Sequence, residues 1–416
     1  MKKGIICLVF SMVVVLMFGI SSRAEESGGV EAQLQAMQGK IDKLEKDNMA
    51  KDNNAKILES RISALEAEEN KPDDDKGMIS IKGAKLDIGG ELEYEFVKTK
   101  KHAAVNEKAP YFQLDKFVLS AKAALSDDVY FKGVIEFYRT ALEARNMVVC
   151  FNNLPQDSFL KVGIDDRFMA PDRKTERYPL SGNAFWRDTA QGIFCGGQLE
   201  DISWDISYTS GYEIDQRAIT EDNSLMMLHD DRRTTNYTSP GEFGVGLGLT
   251  KDCPLGGKGE IMLFGYQSKM SAADETFLRT NVTGYASRKR DQSRYGINFN
   301  YAICKANLFA QLIQAQDGAM DRDAWYVQPS YKIKLADRDF FSSIEPLFRY
   351  GRLSTDINPA AGDILTWDRE EFTFAILADL YKNTKLKTEY TIDRLDQGTA
   401  GTKNYGEFVI QLEVQF

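Results

Sequence analysis

Beyond its first 20 residues the 416-residue chain has no apolar run near the roughly 20 residues a spanning helix needs. At 43% hydrophobic and 27% charged residues, it is far less oily than a bundle of membrane helices. If the chain crosses a bilayer, it must use strands, since only helices and closed barrels satisfy every backbone group in lipid. Histidine is almost missing: His102 and His229 are the two in the chain. No HExxH, GxSxG or Walker pattern is present, so the sequence reads as a non-enzyme with no cofactor and no metal. The "HDD" at His229, Asp230 and Asp231 reads as a solvated stretch of a surface loop. Four cysteines follow Cys7, namely Cys150, Cys195, Cys253 and Cys304, and their spacing matches neither a zinc site nor a CxxC pair. A formal charge of −10 leaves no basic stripe to hold nucleic acid.

What is present falls into three stretches. Residues 1–24 read as a secretion signal: Lys2 and Lys3, then an apolar segment from Ile5 to Ile20, then Ser22-Arg23-Ala24 with small residues at the cleavage positions. Residues 30–69 read as a periplasmic coiled coil. A heptad frame starting at Leu34 places Leu34, Ile41, Asn48 and Ile62 at one core position and Leu44, Leu58 and Leu65 at the other. Such a seam is apolar on one side of a single helix, so self-association through these residues is expected, with the polar Asn48 fixing register and strand number. Residues 70–85, with Pro72, Gly77 and three aspartates, read as a linker.

From residue 86 to 416 the periodicity changes to two. Leu86, Ile88, Leu92, Tyr94 and Phe96 share one face of the first segment, against Asp87, Glu91, Glu93 and Glu95 on the other. Carboxylates at that density cannot face a dry core without partners, but they can line a watery lumen. Sixteen such segments run from 86–98 to 404–416, the weakest alternation lying in 143–152, 259–267 and 305–314. Short turns alternate with long connections at 210–241, 268–291 and 351–366, and aromatics cluster near segment ends. Those features predict an all-β, 16-stranded antiparallel transmembrane barrel with its turns in the periplasm. A soluble sandwich or β-helix would show closer, more uniform turns or a short repeat. The last segment, "YGEFVIQLEVQF", ends on Phe416.

The connection 167–189, "RFMAPDRKTERYPLSGNAFWRDT", is the third on the long-loop side and carries Arg167, Arg173, Lys174, Arg177 and Arg187. Lys85, Lys116, Lys132 and Lys161 fall on the lumen-facing parity, mixed with many acids. The order of signal, coil and barrel, with "KVGIDDRF" running into "RYPLSGNAFWRDTAQGI", resembles the phosphate-selective porin O and P family and its coiled-coil-bearing relatives. That resemblance implies a homotrimer in the outer membrane of a Gram-negative bacterium, passing small anionic or neutral hydrophilic solutes. It also implies that the five basic residues of 167–189 stand at the pore constriction. Phe416 resembles the C-terminal signal read by the barrel assembly machinery. The other reading is a structural, cell-wall-tethering barrel with little transport specificity.

Overall fold

The alternation has one stable outcome: each strand must pair on both sides and turn its oily face outward. The computed structural model describes residues 85–101, 109–138, 141–218, 226–233, 241–253, 256–282, 284–335, 340–357, 368–381, 383–396 and 402–416. The signal, the coil with its core positions and nearly all of the linker lie outside the described residues, as does His102. Sixteen antiparallel strands close into a barrel. They are β1 (Lys85–Lys101), β2 (Tyr111–Ala124), β3 (Val129–Tyr138), β4 (Leu142–Ala144 with Met147–Leu154), β5 (Ser158–Asp165), β6 (Ala190–Leu199), β7 (Ile202–Thr209) and β8 (Glu242–Asp252). The circuit continues through β9 (Lys258–Lys269), β10 (Asp291–Ile303), β11 (Ala306–Asp317) and β12 (Met320–Tyr331, continued by Ile333–Lys334). It ends with β13 (Ser343–Ile357), β14 (Asp368–Asp379), β15 (Thr384–Asp396) and β16 (Thr402–Gln415).

Every predicted segment is a strand, the three weakest included. The largest boundary difference is β13, which runs on to Ile357 and shortens the connection expected at 351–366. Its extension carries Leu353 and Ile357, both buried beneath inward-folded loops that sequence periodicity does not report.

β1 pairs with β2 on one side and β16 on the other, so no edge remains unpaired in the ring. Phe416 completes the seam. Its N–H donates to Gly90 O at 3.0 Å, the Gly90 N–H returns to Phe416 O at 2.9 Å, and its ring stacks on Phe117 at 6.1 Å. The outer face is oily: Leu92, Tyr94, Ile206, Tyr208, Leu247 and Phe374 are all exposed. Their neighbours in sequence, Glu93, Glu95, Ser207 and Thr373, are buried inside. A slip of one residue would exchange the two sets. At mid-bilayer, an Arg or Lys moved onto a lipid-facing position costs about 2–4 kcal/mol and an Asp or Glu less, so a slip that moves many charges at once is strongly opposed. The four cysteines beyond Cys7 are all free thiols.

Candidate functional site

Among the described residues, parts of two connections fold back into the barrel. The first is 166–189, between β5 and β6. Its side chains reach inward-facing residues on the far strands, which is possible only by crossing the lumen. At its start, Arg167 donates to both oxygens of Glu242 (3.1 and 2.6 Å), to Asp230 (2.7 Å) and to the Phe185 carbonyl (2.6 Å). Phe168 then stacks on Tyr266 at 4.7 Å. It fits because β8 presents glycines there; a Cβ on Gly246 would lie 2.8 Å from the Phe168 ring. Met169 is fully buried, and its carbonyl accepts from Asn298 (3.0 Å) and Gln311 (3.1 Å).

A short helix, α1 (Leu180–Phe185), is buried along its whole length. No side chain caps it, so its placement depends on tertiary partners. Gln311 supplies them. Its carbonyl oxygen accepts from Ser181 Oγ (2.7 Å) and Trp186 Nε1 (2.9 Å), while its amide nitrogen donates to Met169 O and to Asn298 Oδ1 (2.8 Å). One amide thus uses both donors and both acceptor positions to hold the loop against the β10–β11 wall.

Between those anchors, residues 173–177 reach the opposite wall. Lys174 Nζ lies 2.7 Å from Glu345 on β13. Arg173 pairs with Glu176 at 3.4 Å and lies 3.9 Å from Glu93 on β1. Arg177 pairs with Glu407 on β16, and the backbone N–H groups of Glu176 and Arg177 both donate to Glu389 on β15. Arg349 of β13 donates to Thr175 Oγ1 (2.6 Å), the Arg177 carbonyl (2.8 Å) and Glu371 (3.1 Å). The register of β1 against β2 shifts between Glu93 and Tyr94. This bulge leaves Asp115 as an extra residue beside Lys116, and Lys116 lies 3.1 Å from Glu93. Bulges re-aim side chains in this way.

Burial alone would raise the Glu176 carboxyl, but Arg173, Lys387, Arg177 and Lys116 more than offset this and hold it at about 2. The loop is therefore anchored by a carboxylate that stays ionised.

The second inward connection lies within 210–241, which the sequence marks as a long loop without showing that its described parts, 210–218 and 226–233, turn inward. Tyr212–Ala218 and Met226–Arg232 pair as a hairpin tucked beneath the barrel rim. Rather than being solvated, His229 and Asp230 are each only 2% exposed, because the hairpin is enclosed by the β10–β12 wall and the first loop. Burial would push Asp230 up, yet Arg294, Arg322 and Arg167 hold it well below the usual carboxylate range. Asp317 bridges Arg294 (2.6 Å) and Arg322 (2.7 Å) from the wall. With Glu242, three guanidiniums meet three carboxylates, so the cluster is charge-balanced. A second helix, α2 (Ala272–Asn281), packs on this hairpin. Its capping box of Ser271 and Asp274 is extended by Arg233, which donates to Asp274 at 3.0 Å. Ile214, Leu228, Leu278, Val282, Met320 and Ile357 form the apolar cluster between hairpin, helix and strand ends.

The sequence candidates therefore separate. Arg173, Lys174 and Arg177 come together on the far wall. Arg167 is locked in the hairpin cluster, and Arg187 lies over the Tyr178 ring at 5.1 Å. Lys116 joins the Glu93 group; Lys161 pairs with Asp165 at 2.8 Å; Lys85 and Lys132 are exposed toward the turn end. Asp188, His229 and Asp231 bring ligand atoms within 4.8 Å of one another. Asp188 is, however, already paired with Arg217 and lies 3.8 Å from Arg145, so guanidinium ions hold that cluster.

No protein-family model and no curated protein matches the chain. Solved structures do. The outer membrane channel DcaP of Acinetobacter baumannii superposes with a TM-score of 0.55 at 12% identity, covering 82% of this chain and 99% of that one. OmpF of Salmonella typhi gives 0.53 at 14%, covering 82% and 100%. An anion-selective porin from Comamonas acidovorans gives 0.51 at 12%, covering 80% and 100%. The fold is that of the porins. At such identities the likeness is one of architecture, which a porin barrel lends to many different solute preferences.

Proposed function

We propose that this porin barrel is a passive outer-membrane channel for small hydrophilic solutes, working as a homotrimer. The observation that carries the reading is a closed barrel, oily outside and charged inside, whose lumen is crossed by its third long connection. Passive diffusion needs only that geometry: a wet path, and a neck whose dipoles and charges filter what enters.

The resemblance to phosphate-selective porins suggests anion preference through Arg167, Arg173, Lys174, Arg177 and Arg187. Pairing argues for a weak preference. Arg167, Arg173, Lys174 and Arg177 each face a carboxylate of the wall or hairpin, which cancels most of the field that a low-dielectric neck would otherwise amplify. Purified protein in a planar bilayer, under a salt gradient, tests both parts. Ohmic conductance with a small reversal potential is the expected result. Strong anion selectivity abolished by Arg173, Lys174 and Arg177→Ala would establish the phosphate-like reading instead, and absence of conductance would defeat the channel reading altogether.

A further inference from the structure

Between the crossing loop and the β7–β13 wall lies a cavity of about 430 Å³, within the ~300–1,000 Å³ range typical of small-molecule sites. Thr250, Glu260 and Asn307 on its lining stand next to the short turns, so it opens on the turn side of the loop. Three features of its wall point to one ligand chemistry.

The first is an aromatic platform. Phe309 and Tyr326, on neighbouring strands, stack at 5.5 Å with an interplanar angle of 30°, and Phe168 faces the same space. The second is a row of amides. Asn307 donates to Asn300 Oδ1 at 2.7 Å, and Asn300 donates to Glu260 at 3.1 Å, leaving Asn307 Oδ1 at the end of the chain. Beside it, Gln328 and Tyr326 line the cavity while only 8% and 3% exposed, and neither side chain has a hydrogen-bond partner among the described residues. Their polar atoms are therefore left to whatever fills the cavity. The third feature is charge. Lys174, Arg173 and Arg349 on the rim are already paired with Glu345, Glu176 and Glu371, so none is left uncommitted to fix an anion, and Asp172 and Glu260 would repel one.

Amides offer donor and acceptor together, as neighbouring hydroxyls on a ring require, and aromatic faces match the C–H faces of a pyranose. We propose that this cavity is a binding site for neutral polyhydroxylated solutes, mono- and disaccharides, which would make the channel sugar-selective. The inference rests on the channel reading for its physiological meaning, but binding itself can be measured separately.

Full-length protein in a planar bilayer is titrated with maltose, with glucose and, in a parallel arm, with inorganic phosphate. Current block by maltose should saturate. Gln328→Ala and Phe309→Ala should raise the half-blocking concentration about tenfold, equivalent to the loss of ~1.4 kcal/mol, each normalised to its own open current. Tyr326→Phe removes a single oxygen and should give a smaller shift in the same direction. Heat-shifted gel mobility checks that each variant is folded. If no conductance is seen, calorimetric titration of maltose into the detergent-solubilised protein still decides the site, separating its failure from that of the channel reading. Block that only tracks viscosity, absent binding heat, or saturable phosphate block weakened by the same substitutions would each overturn the proposal.

Discussion

Glu176 shows how one carboxylate can hold a loop across a wet lumen. It pairs with Arg173 and accepts from Gln411 Nε2 at 2.6 Å, linking the loop to β16. Its folded value of about 2 lies below the ordinary 4.5, so protons bind the detached loop more readily than the anchored one. The stabilisation it contributes is therefore complete above 4.5 and disappears as pH falls through about 2. Trp186 sits on the same loop, and its emission in a background with the other three tryptophans replaced by Phe reports the anchoring. That emission should stay constant on acidification past 4.5 and change only near 2, and Glu176→Gln should abolish the late step. A transition centred on the ordinary carboxylate value would show that Arg173 and its neighbours do not hold Glu176 as described.

The strands were legible because each carries its own evidence. Leu92 and Tyr94 against Glu93 and Glu95 announce two environments without reference to any other part of the chain. The crossing loop was legible in position, from its length and its place after β5, but its pairing was not. Glu93, Glu345, Glu389 and Glu407 are scattered over the chain, and only ring closure brings them to one wall. The hairpin at 212–232 was hidden for a related reason: Asp230 is polar, sits in a long connection, and becomes internal only through Arg167, Arg294 and Arg322, which are distant in sequence. Gln311 gives no sequence signal at all beyond its inward parity. The hairpin carries its own prediction. Asp230→Asn removes one of the three carboxylates that balance three buried guanidiniums, the one that touches all three, and breaking a buried pair typically costs about 3–5 kcal/mol. The barrel ladder does not depend on Asp230, so the loss should appear as protease cleavage within 212–232 and as flickering, raised conductance. The heat-shifted mobility of the barrel should be preserved. A variant with unchanged cleavage and quiet channels would mean that the apolar cluster around Leu228 and Leu278 holds the hairpin without the ion cluster.

The homotrimer we propose would draw on both kinds of sequence periodicity. The crossing loop is anchored by strands of its own chain, through Glu93, Glu345, Glu389 and Glu407, so the neck takes no residue from a neighbour. The coil we propose for the heptads at 34–65 would supply an independent reason to associate: a helix there would carry a seam of Leu34, Ile41, Leu44, Leu58, Ile62 and Leu65 that is costly to leave in water, and the polar Asn48 would penalise wrong registers. Tethering would also raise the effective concentration of the barrels for one another, strengthening a weak lateral contact without adding any surface to it. Deleting residues 25–76 while keeping the signal therefore has a two-part expected outcome. The barrel should still insert, close its β1–β16 seam and conduct, because every described strand and the described parts of both inward connections lie beyond the deletion. The oligomer should dissociate at lower temperature and lower detergent concentration than the full chain, as read on unheated gels and by light scattering. An oligomer of unchanged stability would place the whole association energy on the outer barrel wall and leave the coil a tether to something else, such as the cell wall, which a pull-down with purified peptidoglycan before and after deletion would detect.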